Sequence, residues 1–363
     1  MALRSRTEGG DHAVIVGASL AGLMTALALS RVGIRVTLLE RSDDSGRTGA
    51  ALHVEPGFMQ TLLGDQTHVF MASGVQTWFT VHAGLRAAVD ADPRITLHQH
   101  TTVERVGQDA NSAWAESSQG VFRGDIVIGA DGHRSIVRAS VAPDAPDARF
   151  AGYVIWLGLS KEADIAAPPA WPSGVDFLER SGDILLGYPL PRPAGAAQAR
   201  GRQLGWAWYD ASENALLRQK GCVQGDVVRH GLKGAHIPGE VYRKLERKAE
   251  RRWPSPWRDA ILDCVHRQAV IGTPIAEYLP ERLVNGRLAI VGDAAHVPTP
   301  MTGKGFAASL QDALALAQAA ARGLRGDIAM NALNHYEKMR LDSARSLVQS
   351  GQMFSRSFAG SAR

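Results

Sequence analysis

The stretch His12–Glu40, HAVIVGASLAGLMTALALSRVGIRVTLLE, decides the fold because its hydrophobic pattern changes twice within a short span. A short run with β-branched residues ends at Gly17, and the apolar residues that follow recur at helical spacing up to a natural stop at Gly33. A second apolar run then ends in the acid Glu40. This order predicts a β-α-β unit that binds a dinucleotide, with Ser19 in place of the usual middle glycine.

A physical reason explains the presence of each small or acidic residue in this unit. Gly17 permits a tight turn, and Gly22 lets the helix lie close to the strand. A pyrophosphate would meet the N-terminus of the helix, where backbone N–H groups have no partner within the helix. Glu40 would accept hydrogen bonds from a ribose. Strand, helix, strand and acid in register make this a stronger signal than the glycines alone.

A second stretch, Arg287–Ala317, shows a similar order of signals far downstream. The apolar run Leu288–Val291 predicts a buried strand, Gly292 and Asp293 follow it, and a glycine-rich bend opens a long helix of Ala and Leu. We expect the first backbone N–H groups of that helix to be free to contact an anionic or carbonyl-bearing group. These groups belong to Gly303, Lys304, Gly305 and Phe306. Taken alone, the stretch fits an ordinary strand-to-helix turn equally well.

A third stretch lies between these two. The predicted strand Asp125–Ile128 runs into GADGHRSIVR, Gly129–Arg138, which again places an acid and a glycine at the end of a strand. After Arg149, aromatic and β-branched runs between Pro and Gly turns predict a mixed or antiparallel sheet in a second domain. Helical spacing returns at Asn331–Met353 as a closing helix. The runs of the second domain are Tyr153–Leu159, Val175–Arg180, Asp183–Tyr188 and Gln203–Tyr209.

Composition bounds the possible functions. The 363 residues, 45% of them hydrophobic, suffice for one large or two moderate domains. The net charge is +4, and the Lys and Arg residues are dispersed among 36 acidic residues. This distribution argues against binding of nucleic acid and suits binding of anionic small molecules. Cys222 and Cys264 lack metal-ligand spacing, so no metal site and a reducing compartment are expected. Without an apolar leader or a membrane-length apolar run, we expect a cytoplasmic protein with no stable membrane association.

With all three stretches together, the chain resembles the FAD-dependent aromatic hydroxylases of the para-hydroxybenzoate hydroxylase type, the class A flavoprotein monooxygenases. GASLAG with Glu40 is similar to the nucleotide fingerprint of that family, and Gly129–Arg138 is similar to its second motif. Gly292–Pro298, continuing to Gly303–Gly305 and Asp312, is similar to its third. The order and spacing agree nearly end to end. AGYVIWLGL and RQLGWAWYD look most like the enzymes that act on 6-hydroxynicotinate and dihydroxypyridine.

The resemblance implies an α/β fold, with a Rossmann-like FAD-binding domain, an interleaved mixed β-sheet substrate domain and a C-terminal helix. The implied division is a loose arm at 1–11, the FAD-binding domain at 12–148 and 271–323, the substrate domain at 149–270 and the closing helix at 324–363.

The resemblance also assigns cofactor contacts. The ADP half of FAD would be held by the first motif together with the residues that follow the second strand. Asp131 and Gly132 would lie near the pyrophosphate and help NADPH or NADH to reduce the flavin. Asp293, after Gly292, would bond to the ribityl chain. The family has an arginine where this chain has Ala83, and Arg47 could take its place. With Arg47, the ADP contacts are Gly17, Ser19, Leu20, Ala21, Gly22, Glu40 and Arg41. The flavin ring would be lined by Pro298, Gly303, Lys304, Gly305 and Phe306. This position suits reduced flavin, because a helix N-terminus stabilises its negative charge.

The substrate side depends on fewer residues. GAALHVEPG, Gly49–Gly57, is similar to a segment that carries a catalytic histidine in some relatives, and the matching residue is His53. As a base, His53 would remove a ring hydroxyl proton and make the ring more nucleophilic toward a flavin C4a-hydroperoxide. The alternative is a partly buried histidine that packs beside the flavin. Tyr209 is a second catalytic candidate, and the alternative for it is a core aromatic.

Two departures bear on the substrate. The segment between Leu63 and Trp78 is shorter than usual, which predicts a more open or differently covered pocket, and Lys304 stands where the family more often has a glutamine. The leading hypothesis is an NAD(P)H-dependent FAD monooxygenase that uses O2 to hydroxylate an electron-rich aromatic or N-heteroaromatic small molecule. The alternatives are oxygenation of a larger polycyclic natural product and a flavin-binding module without oxygenation. Oligomeric state does not follow from the sequence.

Overall fold

The computed structural model describes residues 10–42, 51–64, 71–166, 168, 170–190 and 202–360. Two large sheets with helices packed on them and two small sheets form the described part of the chain. In chain order the strands are β1 (His12–Val16), β2 (Arg35–Leu39), β3 (Ala51–Val54), β4 (Gly74–Thr77), β5 (Ile95–His98), β6 (Val103–Gln108), β7 (Ala113–Ser117), β8 (Gly120–Gly124), β9 (Ile126–Gly129), β10 (Arg149–Lys161), β11 (Asp176–Arg180), β12 (Asp183–Leu190), β13 (Gln203–Asp210), β14 (Val223–Gln224), β15 (Val227–Val228), β16 (Leu232–Lys233), β17 (Ile271–Glu277), β18 (Val284–Asn285) and β19 (Leu288–Ile290).

The helix after Gly17 and the helix after the third motif lie where the sequence predicted them, and the closing helix is longer than its pattern of 331–353 indicated. Short 3₁₀ turns at Gly292–Ala294 and Pro300–Thr302 belong to the third motif. In chain order the α-helices are α1 (Leu20–Arg31), α2 (Phe58–Leu63), α3 (Trp78–Asp90), α4 (Ile136–Val141), α5 (Asn214–Gln219), α6 (Gly239–Arg252), α7 (Trp257–His266), α8 (Gly305–Ala320) and α9 (Asp327–Gly360).

The first sheet has the strand order β18-β19-β9-β1-β2-β5, and all its pairings are parallel except that of β18 with β19. Its central strands are apolar except for His12 at the start of β1, as expected of strands covered on both faces. Helix α1 is buried along nearly its whole length, and it packs beside α8 in the same core. The predicted β-α-β unit is therefore the centre of this sheet, not its edge.

The second sheet is built around β10, which pairs with β13 on one side and with β17 on the other. Every described pairing is antiparallel, the second of the two arrangements that the sequence allowed. Alternation along the strands gives the sheet two different faces. One face packs on α6 and α7, and the other packs on the end of α9. The strand β17 joins this sheet, although it starts at Ile271, a residue that the predicted division assigns to the FAD-binding domain. The domain boundaries stay a prediction.

Candidate active site

The three glycine-and-acid motifs meet at one edge of the first sheet. The strands β19, β9, β1 and β2 are parallel neighbours in that order, so their carboxyl ends lie side by side. The residues that follow these strands are Asp293, Asp131, Gly17 and Glu40, respectively. Ligands of open parallel sheets bind outside the carboxyl ends of the strands. The edge therefore collects residues from three distant parts of the chain at the position where such a site is expected.

The first turn has no space for larger residues. Gly17 has φ +101°, a conformation that side chains rarely adopt, and a Cβ there would lie 2.5 Å from the carbonyl oxygen of Ala130. A Cβ on Gly22 would lie 1.8 Å from the carbonyl oxygen of Gly17. Gly292 has φ +58°, and a Cβ there would meet the Cβ of Ala21 at 2.5 Å. The glycines thus let motifs one, two and three pack directly against each other.

Glu40 is buried and holds the first turn in place. Its carboxylate accepts a 2.8 Å hydrogen bond from the backbone N–H of Ala18 and bonds from the backbone and hydroxyl of Ser42. Neighbouring Arg41 is exposed, and Arg47 lies outside the described residues. The structure thus shows a role for Glu40 that the sequence did not indicate, in addition to the ribose contact that stays a prediction.

Glu40→Gln is expected to weaken FAD binding about ten- to a hundredfold, because a hydrogen bond to a charged group contributes about 1.5–3 kcal/mol. The amide of glutamine retains the size of the side chain but accepts more weakly. Flavin fluorescence titration of the apoprotein measures the dissociation constant. Glu104→Gln, a change of an exposed acid on β6, is the matched control. Equal affinities in the two variants would contradict the role given to Glu40.

In the second motif, Asp131 caps the first turn of α4. Its carboxylate accepts bonds from the hydroxyl of Ser135 at 2.5 Å and from the backbone N–H of Ile136 at 2.7 Å. Burial raises the pKa of Asp131, and these two bonds oppose that rise. Gly132 has φ +81°, and the position of a Cβ there is open space. The backbone at Gly132 is therefore open to approach by a ligand.

Arg138 joins the second and third motifs, and the sequence did not single it out as a site residue. It is 1% exposed, and its Nη1 donates to the carbonyl oxygens of Asp293 at 3.3 Å and Ala294 at 3.1 Å. The same guanidinium donates to the carbonyls of His133 and Pro146 and lies 4.3 Å from the ring centroid of Tyr278. The sequence signal that could have indicated Arg138 was its position one helical turn after Ser135.

Asp293 lies in a recess. Its side chain is exposed, yet the dense protein around it raises its pKa, against the opposing effects of His296 and Arg138. A carboxylate that is both accessible and surrounded by protein faces a concave surface. No hydrogen bond to this carboxylate is present among the described residues, so its oxygens remain available to hydroxyl groups of a ligand.

The turn from Pro298 to Phe306 differs from the prediction in one respect. Two of the four N–H groups expected to be free are bonded within the turn: Gly303 N–H donates to the carbonyl of Pro300 at 3.0 Å, and Lys304 N–H donates to the hydroxyl of Thr302 at 3.3 Å. The reason is that the 3₁₀ turn Pro300–Thr302 precedes α8 and supplies local acceptors. Only the N–H groups at the start of α8 itself, Gly305 and Phe306, fit the prediction. Gly303 has φ +62°, and a Cβ there would meet nothing.

A buried ion-pair network supports the third motif from behind. Asp312 on α8 accepts bonds from the backbone N–H of Gly292 at 2.9 Å, from His296 Nε2 at 2.7 Å and from Arg340 Nε at 2.8 Å. Burial alone would lower the pKa of His296, but Asp312 raises it above the ordinary value. Burial would raise the pKa of Asp312, but His296 and Arg340 lower it. The motif match had included Asp312 without a role, and only the packing assigns one.

The two catalytic candidates lie in different environments. His53 on β3 is 59% exposed, and its Nε2 lies 3.6 Å from Oε1 of Glu55. Tyr209 on β13 is 1% exposed, stacks on Tyr153 at 5.8 Å between ring centroids, and packs edge-on against Phe354 of α9. Burial raises the pKa of Tyr209. Its packing is therefore that of a core aromatic.

An apolar surface lies between β3, the third motif and the second sheet. Ala51 on β3 and Val75 on β4 pack against the face of the second sheet that contains Tyr153 and Tyr209. Alternate residues of a strand share a face, so His53, which pairs with Val75, lies on the same face as Ala51. Other half-buried apolar side chains on this surface come from β10, β12 and the third motif. They are Leu157, Leu159, Leu186 and Met301.

The residues present fit FAD. Gly17 and Gly22 exclude any Cβ, while the backbones of Gly132 and Gly303 face open space. Within the described ranges, no side chain caps the first turn of α1 or of α8, so the N-termini of both helices keep donors for phosphate or carbonyl oxygens. Asp293 offers an accessible carboxylate to hydroxyl groups. Over the described ranges, no helix is long and apolar enough to span a membrane, and no cluster of His, Cys, Asp and Glu suits a metal ion.

Comparison with known proteins gives the same class. The family model of the FAD binding domain matches residues 11–69 and 224–351, together more than half of the chain. The chain therefore belongs to the FAD binding domain family. It is an FAD-dependent hydroxylase of aromatic or heteroaromatic compounds, of the class A flavoprotein monooxygenases.

Three similar proteins illustrate this class. The chain is 28% identical to 2,6-dihydroxypyridine 3-monooxygenase of Paenarthrobacter nicotinovorans, over 88% of this chain and 85% of the relative. It is also 28% identical to the FAD-dependent urate hydroxylase of a Klebsiella pneumoniae strain, over 93% and 87%. The solved structure of 2,6-dihydroxypyridine-3-hydroxylase from Arthrobacter nicotinovorans superposes with a TM-score of 0.80 at 23% identity, over 97% of this chain and 94% of that chain. The last comparison supports the fold.

Proposed function

We propose that the protein hydroxylates a small electron-rich aromatic or N-heteroaromatic ring, with NADPH or NADH as the source of electrons and O2 as the source of oxygen. The observation that carries this proposal is the apolar surface that faces the third motif, with His53 at its border. Bound FAD, held by the three motifs, would supply the two-electron redox chemistry and the activation of O2. The chain itself has to bind the ring, orient it and handle its proton.

The apolar surface suits a flat ring. Half-buried leucines on β10 and β12 belong to the same apolar cluster as Ala51, Val75 and Met301. Such side chains bind a ring mainly by removing apolar area from water. Similar proteins act on dihydroxypyridine and urate, as their names state, and both compounds are small nitrogen heterocycles. We therefore place the substrate of this chain in the same chemical class.

We propose His53 as the base that removes a proton from a ring hydroxyl. It lies on the face of β3 that is directed toward the second sheet, and Oε1 of Glu55 lies 3.6 Å from its Nε2. A neutral imidazole accepts a proton near neutral pH, and deprotonation raises the electron density of the ring carbon that reacts with electrophilic oxygen.

His53→Gln is expected to lower the rate of hydroxylation about a hundredfold or more, since a positioned general base contributes about 10²–10⁴ in rate. FAD affinity should not change. His266→Gln is the matched control, because His266 is also exposed and paired with a glutamate at 3.1 Å, but lies on α7. Unchanged turnover of the His53 variant across pH would refute the role.

We propose that the nicotinamide cofactor approaches beside Asp131 and Gly132. Burial lowers the pKa of His133 to about 4, and Arg134, Arg138 and Arg41 contribute to this shift. These three cations give the position a positive local field. NADPH and NADH carry a negative pyrophosphate that such a field attracts.

The reaction is tested with the purified protein. A flavin absorption spectrum, then NADPH or NADH consumption with hydroxypyridines, purines, salicylates and polycyclic phenols, should identify substrates that stimulate oxidation. Product mass should rise by one oxygen atom for a small ring. Oxidation without any oxygenated product would contradict hydroxylation, and a mass gain on polycyclic compounds alone would contradict the proposed size class.

A further inference from the structure

Thr299 connects three parts of the molecule. It is fully buried directly after Pro298, and its carbonyl accepts bonds from the backbone N–H of Thr302 at 3.1 Å and from the hydroxyl of Thr302 at 3.0 Å. Its own hydroxyl accepts from the backbone N–H of Met301 at 3.5 Å. These bonds close the short turn that leads to Gly303 and the start of α8. Thr299 therefore determines the shape of the turn that we have placed beside the flavin ring.

The same hydroxyl reaches the second sheet. It forms a short hydrogen bond with the phenol of Tyr153 on β10. Tyr153 is itself immobilised, because it stacks on Tyr209 and contacts the ring of Phe358 edge-on at 5.3 Å between centroids. Burial raises the pKa of Tyr153 to about 12, so the phenol keeps its proton at physiological pH. The bond thus joins the turn to the sheet that carries the apolar surface.

Helix α9 closes the third side. A Cβ on Gly351 would lie 2.7 Å from Cγ2 of Thr299 and 3.3 Å from Cγ2 of Thr302. Gly351 has no positive φ, so space and not backbone conformation requires the glycine. Gly360, in the same helix, has nothing within 4 Å of a Cβ position. The helix therefore touches the turn at one place where even a methyl group does not fit.

We propose that Tyr153, Thr299 and Gly351 form a positioning site that fixes the Pro298–Phe306 turn relative to the second sheet, and thereby the distance between the flavin ring and the aromatic substrate. All three residues are buried, so they act through the turn. The inference depends on the proposed place of the flavin ring beside that turn. It deepens the proposed function, because oxygen transfer needs the ring carbon at a defined distance from the activated oxygen.

The first test is Gly351→Ala, with Gly360→Ala as the matched control in the same helix. The new methyl group should push the turn away from α9. We expect the visible flavin spectrum to shift, the FAD dissociation constant to rise about three- to tenfold, and more of the NAD(P)H oxidised to yield hydrogen peroxide in place of product. The Gly360 variant should behave as the wild type. A spectrum, affinity and coupling equal to those of wild type in Gly351→Ala would overturn the proposal.

The second test is a rescue. Thr299→Ser removes Cγ2, the atom nearest to the new methyl group, and keeps the hydroxyl that bonds to Tyr153. The double variant Gly351→Ala/Thr299→Ser should regain most of the wild-type spectrum and coupling. If the double variant is as impaired as Gly351→Ala, the contact with Thr299 does not transmit the effect and the proposal is refuted.

The third test removes only the bond to the sheet. Tyr153→Phe keeps the aromatic packing, and Tyr242→Phe on α6 removes a comparable phenol bond, to the carbonyl of Gly234 at 3.1 Å, as the control. Tyr153→Phe should alter spectrum and coupling, and Tyr242→Phe should not. Spectrum and FAD affinity are measured without substrate, so they test this inference even if the wild type forms no oxygenated product. If Tyr153→Phe lowers the melting temperature of the apoprotein without changing the flavin spectrum, the role of the bond is merely structural and the proposal is contradicted.

Discussion

Replacing Gly22 with alanine is expected to abolish FAD binding and to leave little folded protein. The new Cβ would lie 1.8 Å from the carbonyl oxygen of Gly17, a backbone atom that can move only if β1 and α1 separate. Both elements lie in the centre of the first core, where overpacking costs about 1–3 kcal/mol even when the contacts involve movable side chains. A clash with backbone should cost more.

Flavin content after purification and thermal unfolding followed by circular dichroism measure this effect. Gly174→Ala is the matched control, because a Cβ at that exposed glycine has nothing within 4 Å. A Gly22 variant with normal flavin content and melting temperature would contradict the close packing of α1 on the turn.

Replacing Asp312 with alanine is expected to reduce the free energy of unfolding by about 3–5 kcal/mol, the usual cost of removing one partner of a buried ion pair. Asp312 has no exposed surface, and its loss leaves His296, Arg340 and the backbone N–H of Gly292 without their acceptor. Urea denaturation of the apoprotein measures the change. Asp342→Ala, at an exposed position of α9, should cost less than about 0.5 kcal/mol.

The same pair predicts a pH dependence. The folded pKa of Asp312 is lowered, so its contribution is present above its ordinary pKa of 3.8 and is lost as the pH falls through the lowered value. The folded pKa of His296 is raised, so its contribution is full below its ordinary pKa of 6.5 and is lost as the pH rises through the raised value. The difference in stability between wild type and Asp312→Ala should therefore be largest between these two pKa values. A difference that does not vary with pH would contradict the charged pair.

Local features of the fold were predictable from the sequence. The strands at 12–16 and 35–39 and the helix between them were predicted within a residue or so, because apolar period and glycine placement are properties of neighbouring residues. The closing helix was predicted to end at Met353 but continues to Gly360. Its last turns place Phe354 and Phe358 against the second sheet, and this packing extends the helix beyond its own pattern.

The candidate site divides in a similar way. Asp131 and Asp293 could be predicted as site residues because an acid directly after a buried strand is a local signal. The prediction that the N–H groups of Gly303 and Lys304 are free was wrong. The bonds inside the preceding turn depend on a 3₁₀ geometry that residue type alone did not indicate. Arg138 was missed as a site residue, since its guanidinium reaches carbonyls 155 and 156 positions away.

By itself, the sequence determined that three glycine-and-acid turns follow strands, and that the chain is a flavoprotein of a known class. Those features depend on backbone conformation, small size and period, which neighbouring residues decide. Only the tertiary structure decided that His53 shares a face with the apolar surface, that Tyr209 is packed among aromatic rings, and that Tyr153 bonds to Thr299 across 146 positions. Such contacts are set by how whole sheets and helices pack, and no local pattern records them.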